Sequence, residues 1–178
     1  MRALLAVAAL VAGVASQSPY AGEPRQIKAL SEEQIAGYLN GDGMGYALSA
    51  ELNSYPGPKH VLEFGDELDL SSEQRRAVSA AFERMHERAR ELGARLVEFE
   101  GQLDAAFAGR SISAADLEAQ LAELGRVNAE LRFVHLRAHL ETTGLLSAAQ
   151  IDKYGMLRGY DDHAGHRLMG SHAARQSE

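Results

Sequence analysis

Apolar residues recur along the middle of the chain in alternating steps of four and three, which is the spacing of one face of a helix. The first run comprises Val78, Phe82, Met85, Ala89, Leu92, Leu96, Phe99, Leu103 and Phe107. The second run continues this spacing, with two polar members, through Leu117, Leu121, Leu124, Asn128, Leu131, His135 and Ala138. These runs predict two long helices, at about 72–107 and 113–144, each with a continuous packing seam. The break at 108–111 predicts a tight turn between them, and therefore a long antiparallel helical hairpin.

The pattern L-S-x-x-Q occurs three times, at Leu30–Gln34, Leu70–Gln74 and Leu146–Gln150. In such a capping box the Ser hydroxyl accepts a free backbone N–H of the first helical turn, and the Gln side chain reaches back to the Ser backbone. Each copy therefore predicts a helix start. Together with a short helix expected after the Pro-rich turn at 53–58, they give an all-α fold class in which short helices flank the hairpin.

Two glycines, Gly93 and Gly125, fall within the predicted long helices, at about the same level of the hairpin. Glycine costs about 1 kcal/mol relative to Ala inside a helix. We therefore expect a close helix approach or a kink to compensate.

The N-terminus has the pattern of a secretory signal peptide, because Arg2 is followed by about a dozen apolar and small residues. Cleavage is predicted after Ala15, and an uncleaved anchor is the alternative. The predicted organisation is a signal peptide at 1–15, a leader with a short helix and a Gly/Pro loop at 16–55, a helical domain at 56–160, and a flexible His-containing tail at 161–178.

The amino-acid composition and net charge exclude several classes of function. The 178 residues include no Cys, which excludes disulfides, thiolate metal sites and a cysteine nucleophile. A net charge of −7 opposes binding to nucleic acid and favours cationic partners. Beyond the signal peptide no apolar stretch is long enough to span a membrane, so no stable membrane insertion is expected. Export of a cysteine-free chain of this kind favours the periplasm.

Candidate metal ligands centre on His135 and His139, whose i, i+4 spacing puts both imidazoles on one helix face. The Glu that follows the first His in a zinc protease is missing, so the pair is expected to bind without hydrolysing. The hairpin model brings His86 to the same end, and the His60/Glu63 pair is a further candidate there. Nitrogen and oxygen donors suit zinc, nickel, cobalt or copper(II). The alternative is a pair of surface or interface histidines.

The tail carries His163, His166 and His172, a spacing that suits loose metal chelation, with chance occurrence in a solvated terminus as the alternative. The sequence has neither a G-x-S-x-G motif nor a cysteine, so it offers no evident nucleophile for covalent catalysis. The chain is predicted not to be an enzyme.

The order of an export signal, an L-S-x-x-Q motif, a helical hairpin, a second L-S-x-x-Q motif and a histidine-bearing tail resembles the Spy/CpxP superfamily of periplasmic proteins. The family hallmark is a paired LTxxQ motif, which the segments Leu70–Gln74 and Leu146–Gln150 resemble with Ser in place of Thr. The similarity covers about residues 56–160. Within this superfamily the chain resembles the ZraP/CnrX-like branch of periplasmic heavy-metal sensor and resistance proteins.

This resemblance implies a dimeric all-α cradle that either binds metal and reports envelope stress or binds unfolded proteins. In the metal-sensing branch the ligands come from a histidine-bearing first helix and from an H-x₃-H pair late in the hairpin. His135 and His139 match the late pair. His60 and Glu63 match the first helix only in part. We therefore expect a periplasmic heavy-metal-binding protein. Its expected partners are a second copy, unfolded envelope proteins or an inner-membrane stress sensor.

The alternative is an ATP-independent chaperone of the same superfamily. Its client face would be a basic patch made of Arg75, Arg76, Arg84, Arg88, Arg90 and Arg95.

Overall fold

A computed structural model describes residues 25–160, and that part of the chain is helical, without strands. The helices are α1 (Glu32–Asn40), α2 (Leu48–Glu51), α3 (Pro58–Glu63), α4 (Ser72–Ala108), α5 (Ala114–Leu145) and α6 (Ala148–Arg158). The all-α prediction is confirmed. The predicted signal peptide at 1–15 and the tail at 161–178 lie outside the described residues.

The predicted helix starts are confirmed in detail. Ser31, Ser71 and Ser147 each cap a helix, and in each case the Gln three residues later closes the capping box. Ser113 and Asp116 form the same arrangement at the start of α5. These caps satisfy backbone N–H groups that have no partner within the helix, which fixes where each helix begins.

Helices α4 and α5 pack along each other and form the main core. Its buried members are Met85, Ala89, Leu92, Leu96, Leu124, Val127, Leu131, Val134 and Ala138. Arg84 pairs with Glu141 at 3.2 Å, and Arg88 approaches Glu130 at 3.4 Å, so paired positions run in opposite directions along the two helices.

The predicted seam of α5 was wrong in part. Leu121 and Asn128 are exposed, while Val127 and Val134 are buried instead, because the helix turns a slightly different face to α4. Phe107, at the end of the α4 seam, is 55% exposed.

Helix α1 crosses α4 at Gly93. A β-carbon at Gly93 would overlap the carbonyl oxygen of Tyr38, so only glycine permits this approach. The expected close contact therefore involves α1 instead of α5. Gly125 has no such role, because a β-carbon there would meet nothing within 4 Å.

A second, smaller core joins α3, the start of α4 and α6. It consists of Val61, Leu68, Val78 and Tyr154, all almost fully buried. Phe64 meets Tyr154 edge to face, with ring centroids 6.4 Å apart. This core holds α3 and α6 against the N-terminal end of α4, which lies beside the C-terminal end of α5. Among the described residues no helix is long and apolar enough to cross a membrane.

Candidate functional site

A cavity of about 530 Å³ lies where α3, the loop before α2, the first half of α4 and the second half of α5 meet. Four histidines contribute to its wall, namely His60, His86, His135 and His139. The structure therefore brings four of the predicted ligands around one space. Glu63 is not part of this wall; it lies exposed beside His60, whose Nδ1 is 2.7 Å from the Glu63 carboxylate. This hydrogen bond lowers the pKa of Glu63.

His135 is the most deeply buried of the four histidines, with 3% of its surface exposed. Its ring stacks on Tyr46, with centroids 5.9 Å apart and planes within 8°. The Nε2 atom is buried and has no hydrogen-bond partner. Burial, reinforced by the neighbouring His139 and His86, lowers the pKa of His135 to about 4. The imidazole is therefore neutral at pH 7 and keeps a lone pair available for a ligand.

His139 is held by the backbone of the loop before α3. Its Nδ1 donates to the carbonyl oxygen of Tyr55 at 2.7 Å, which leaves the lone pair on Nε2. The ring lies so close to Gly57 that a β-carbon there would be 2.8 Å from its Cε1 atom. A backbone carbonyl that receives one ring N–H is the usual way in which a metal-ligating histidine is oriented.

His86, on α4, is oriented in the same manner by the end of α1. Its Nε2 donates to the carbonyl oxygen of Asn40 at 2.6 Å, and its ring stacks on Phe82 with centroids 5.3 Å apart. The lone pair is therefore on Nδ1. Gly41, which ends α1 with a positive φ of 73°, is packed against this ring and against Arg90.

Glu51 is the residue of this site that the sequence did not point to. Its carboxylate, although buried, accepts hydrogen bonds from the hydroxyls of Tyr154 and Tyr160 and from Nε of Arg158, at 2.5, 3.1 and 3.2 Å. Its second oxygen, Oε2, is 3.6 Å from Nδ1 of His139. No motif surrounds Glu51 in the sequence, and its partners lie more than 80 positions away, so only the fold reveals the cluster.

The possible metal ligands that line the cavity do not converge on one point. Among residues 25–160 no three His, Asp or Glu side chains are placed to hold a single metal ion. The predicted tail ligands His163, His166 and His172 lie outside the described residues. The described chain therefore offers oriented histidine nitrogens and a buried carboxylate whose arrangement would have to tighten around an ion.

Three of the six arginines in the basic patch of the alternative function pair with acids. Arg75 pairs with Asp66, Arg84 with Glu141, and Arg88 with both Glu91 and Glu130. These pairs are exposed and individually weak, yet together they reduce the net positive field of this side of α4.

Comparison with protein-family models, with curated proteins and with solved structures finds no match to this chain. The resemblance to the Spy/CpxP superfamily therefore stays a prediction.

Proposed function

We propose that this chain is an exported protein that binds a divalent transition-metal ion in the histidine-lined cavity, as part of a metal or envelope stress response. His135 and His139 supply the first two ligands, one helical turn apart on α5. Zinc, nickel, cobalt and copper(II) suit a site of imidazole and carboxylate donors without sulfur from cysteine.

The observation that carries this proposal is the unpartnered Nε2 of His135. A buried polar atom without a hydrogen bond costs about 1–3 kcal/mol, so a ligand that engages it recovers free energy. A proton is a poor ligand here, because burial and two neighbouring histidines lower the pKa of His135. A metal ion binds the neutral imidazole through a ring nitrogen and would provide the buried Nε2 with a partner.

Two further observations support a metal over another ligand. His139 and His86 each donate one ring N–H to a backbone carbonyl, which fixes the tautomer and frees the other nitrogen. Glu51 adds an anionic oxygen beside His139 that would balance the charge of a cation.

Because the donors are not gathered around one point, binding would require the walls of the cavity to move. His86 belongs to α4, His135 and His139 to α5, and His60 to α3, so a shared ion would draw three helices together. This is the property a sensor needs, since only a ligand that favours one arrangement over another shifts their populations. The wider proposal is a helical hairpin of α4 and α5 that changes shape with metal in the periplasm.

Calorimetric titration of the chain from residue 16 onward with zinc, nickel, cobalt and copper(II) tests the proposal. One ion per protomer with sub-micromolar affinity is expected. Binding at this site should be abolished in His135→Phe/His139→Phe, which retains aromatic rings for packing. The triple variant His163→Ala/His166→Ala/His172→Ala removes the tail donors and should retain tight binding.

The absorption spectrum of the cobalt complex provides a second readout, because its bands report the coordination geometry. Loss of tight binding in the tail variant with retention in the double Phe variant would overturn the cavity as the site. Absence of binding tighter than millimolar in the wild type would overturn metal binding altogether.

A holdase is the second candidate, favoured by large apolar side chains that are exposed on α5. Phe133 and Leu140 are each 60% exposed. Exposed apolar surface of this kind is typical of sites that bind other proteins. Suppression of the aggregation of a thermally unfolded client, in the presence of a chelator, tests this function without involving the metal site.

A further inference from the structure

The space between the four cavity histidines is larger than a bare metal ion needs. A bound transition-metal ion lies about 2.0–2.2 Å from its nitrogen and oxygen ligands, so a site for an ion alone closes around it. The cavity instead has a volume of about 530 Å³, which is within the range typical of sites for small organic molecules. Its wall also includes the apolar side chains that such sites use, among them Phe82 and Met85.

The ligands that the protein supplies leave coordination positions of the metal open. His135 and His139 supply two ligands, but among residues 25–160 no three His, Asp or Glu side chains are placed around one ion. A four-coordinate ion would therefore keep at least two positions for other ligands. Gly57 keeps the approach to His139 clear, because a β-carbon at Gly57 would be 2.9 Å from the Nε2 atom of His139.

The protein offers little negative charge to balance a bare divalent ion. Glu51 is the buried acid of the cavity wall. Its Oε1 atom already accepts hydrogen bonds from Tyr154, Tyr160 and Arg158, and only its Oε2 atom lies near His139, at 3.6 Å from Nδ1. Because Arg158 is already the counter-ion of Glu51, this carboxylate can offset only part of the charge of the ion. An ion that brings carboxylates of its own needs less from the protein.

Two cationic side chains, Lys59 of α3 and Arg158 of α6, also line the cavity. Of the three lysines in the sequence, Lys28 and Lys153 pair with acids, whereas Lys59 forms no ion pair within residues 25–160. A cation without a partner beside a metal site opposes the entry of a bare metal ion and attracts a carboxylate.

We propose that the cavity takes the metal ion together with a small carboxylate chelator, an amino acid or a hydroxy acid, as a single complex. This rests on the proposed function, in which His135 and His139 bind the ion itself. The chelator fills the coordination positions that the protein leaves open, its carboxylates neutralise the ion, and one of them pairs with Lys59. The wall carries two acids, Asp42 and Glu51, and two bases, so it suits a complex without net charge.

Equilibrium dialysis with nickel and an equimolar amount of radiolabelled L-histidine or citrate tests the proposal. The protein is the chain from residue 16 onward with His163→Ala/His166→Ala/His172→Ala, which removes the tail donors. One nickel ion and one labelled molecule are expected per protomer, with no label retained in the absence of nickel. Nickel–EDTA, in which the chelator occupies every coordination position, is the matched control and should not be retained. The arm that retains label distinguishes an amino acid from a hydroxy acid.

Charge reversal at Lys59 separates the binding of the complex from that of the bare ion. Lys59→Glu should weaken retention of the chelator by about tenfold or more, because a like charge then faces its carboxylate. Calorimetry should show that this variant binds bare nickel as tightly as before or more tightly, whereas a merely structural effect would weaken both. Lys153→Glu is the matched control, since Lys153 lies outside the cavity wall, and it should change neither.

Retention of nickel without label in both arms would overturn the proposal and leave the proposed function in place. Loss of nickel to the chelator, from a protein that binds the bare ion, would overturn it as well. So would label that is retained by His135→Phe/His139→Phe, because the complex would then lie outside the cavity. A protein that retains neither nickel nor label, and that binds no bare nickel, would overturn the proposed function and this proposal with it.

Discussion

The side chains of Gln74 and Gln150 hydrogen-bond each other reciprocally, each donating from Nε2 to the Oε1 of the other, at 2.9 and 3.1 Å. Each also donates to a backbone carbonyl just before the N-cap of the other helix: Gln74 to that of Leu145, and Gln150 to that of Leu68. Both still close their own capping boxes. Two copies of one local motif thus serve as a tertiary clamp between α4 and α6.

The clamp predicts that Gln74 and Gln150 are energetically coupled. Gln74→Ala should lower the free energy of unfolding by about 1–3 kcal/mol, because it leaves two partly buried partners of Gln74, the Gln150 side chain and the Leu145 carbonyl, without that hydrogen bond. The double variant should lose less than the two single variants together, with a coupling of about 0.5–3 kcal/mol in a double-mutant cycle measured by urea unfolding.

Gln34→Ala provides the control for this cycle. Gln34 closes the capping box of α1 in the same way but is exposed. Its loss should cost only about 1 kcal/mol or less, the value of a cap alone. Equal costs at Gln34 and Gln74, with no coupling to Gln150, would show that the two motifs act only as local caps.

Local signals made much of this fold predictable. The boundaries of the long helices depend on capping residues and on a break in apolar periodicity, which act within a few positions of the chain. The reciprocal contact of Gln74 and Gln150 was not predictable, because a cap describes one helix end and carries no information about which other end it will meet.

In the candidate site, too, local features were predictable from the sequence and contacts between distant segments were not. The i, i+4 spacing of His135 and His139, with the expected turn between the long helices, was enough to predict that they share a region with His86. Glu51 escaped prediction because its burial depends on Tyr154, Arg158 and Tyr160, whose hydrogen bonds to it arise only when α6 packs. The role of Gly93 was anticipated as a close approach, but its partner, α1, was not.

Gly93→Ala should destabilise the protein despite the higher helix propensity of Ala. The β-carbon would overlap the carbonyl oxygen of Tyr38, and backbone cannot move aside as a flexible side chain can. A net loss of about 1–3 kcal/mol in thermal or urea unfolding is expected, as for other overpacked sites.

Gly144→Ala is the matched control, because it lies in α5 with open space around it. That substitution should be neutral or stabilise by up to about 1 kcal/mol. A neutral Gly93→Ala would show that α1 and α4 separate easily.

Glu51→Ala should destabilise the described fold by about 2–4 kcal/mol, because it leaves Arg158 without its counter-ion and Tyr154 without an acceptor. Burial raises the pKa of Tyr154 well above its usual value, so its hydroxyl remains a donor that needs a partner. Glu63→Ala removes an exposed carboxylate paired with His60 and should change stability by less than about 1 kcal/mol. Comparable losses in the two variants would contradict a structural role for the Glu51 cluster.

The stability of the metal-free protein should depend on pH through His135. Its pKa is about 4 in the folded chain, against 6.5 for the unperturbed side chain, so between these values the unfolded state binds the extra proton. The stabilisation is therefore complete well above pH 6.5 and is lost as the pH falls from there towards 4. It amounts to about 2.5 kcal/mol between pH 7.5 and 4.5, since one pKa unit corresponds to about 1.4 kcal/mol. Urea unfolding, with a chelator present, measures this loss of stability. The wild type should lose more stability over this pH range than His135→Phe, which shares every other titrating group. Parallel pH curves for the two proteins would mean that His135 is protonated as readily in the folded state as in the unfolded one, and would remove the neutral, unpartnered nitrogen on which metal binding is proposed to depend.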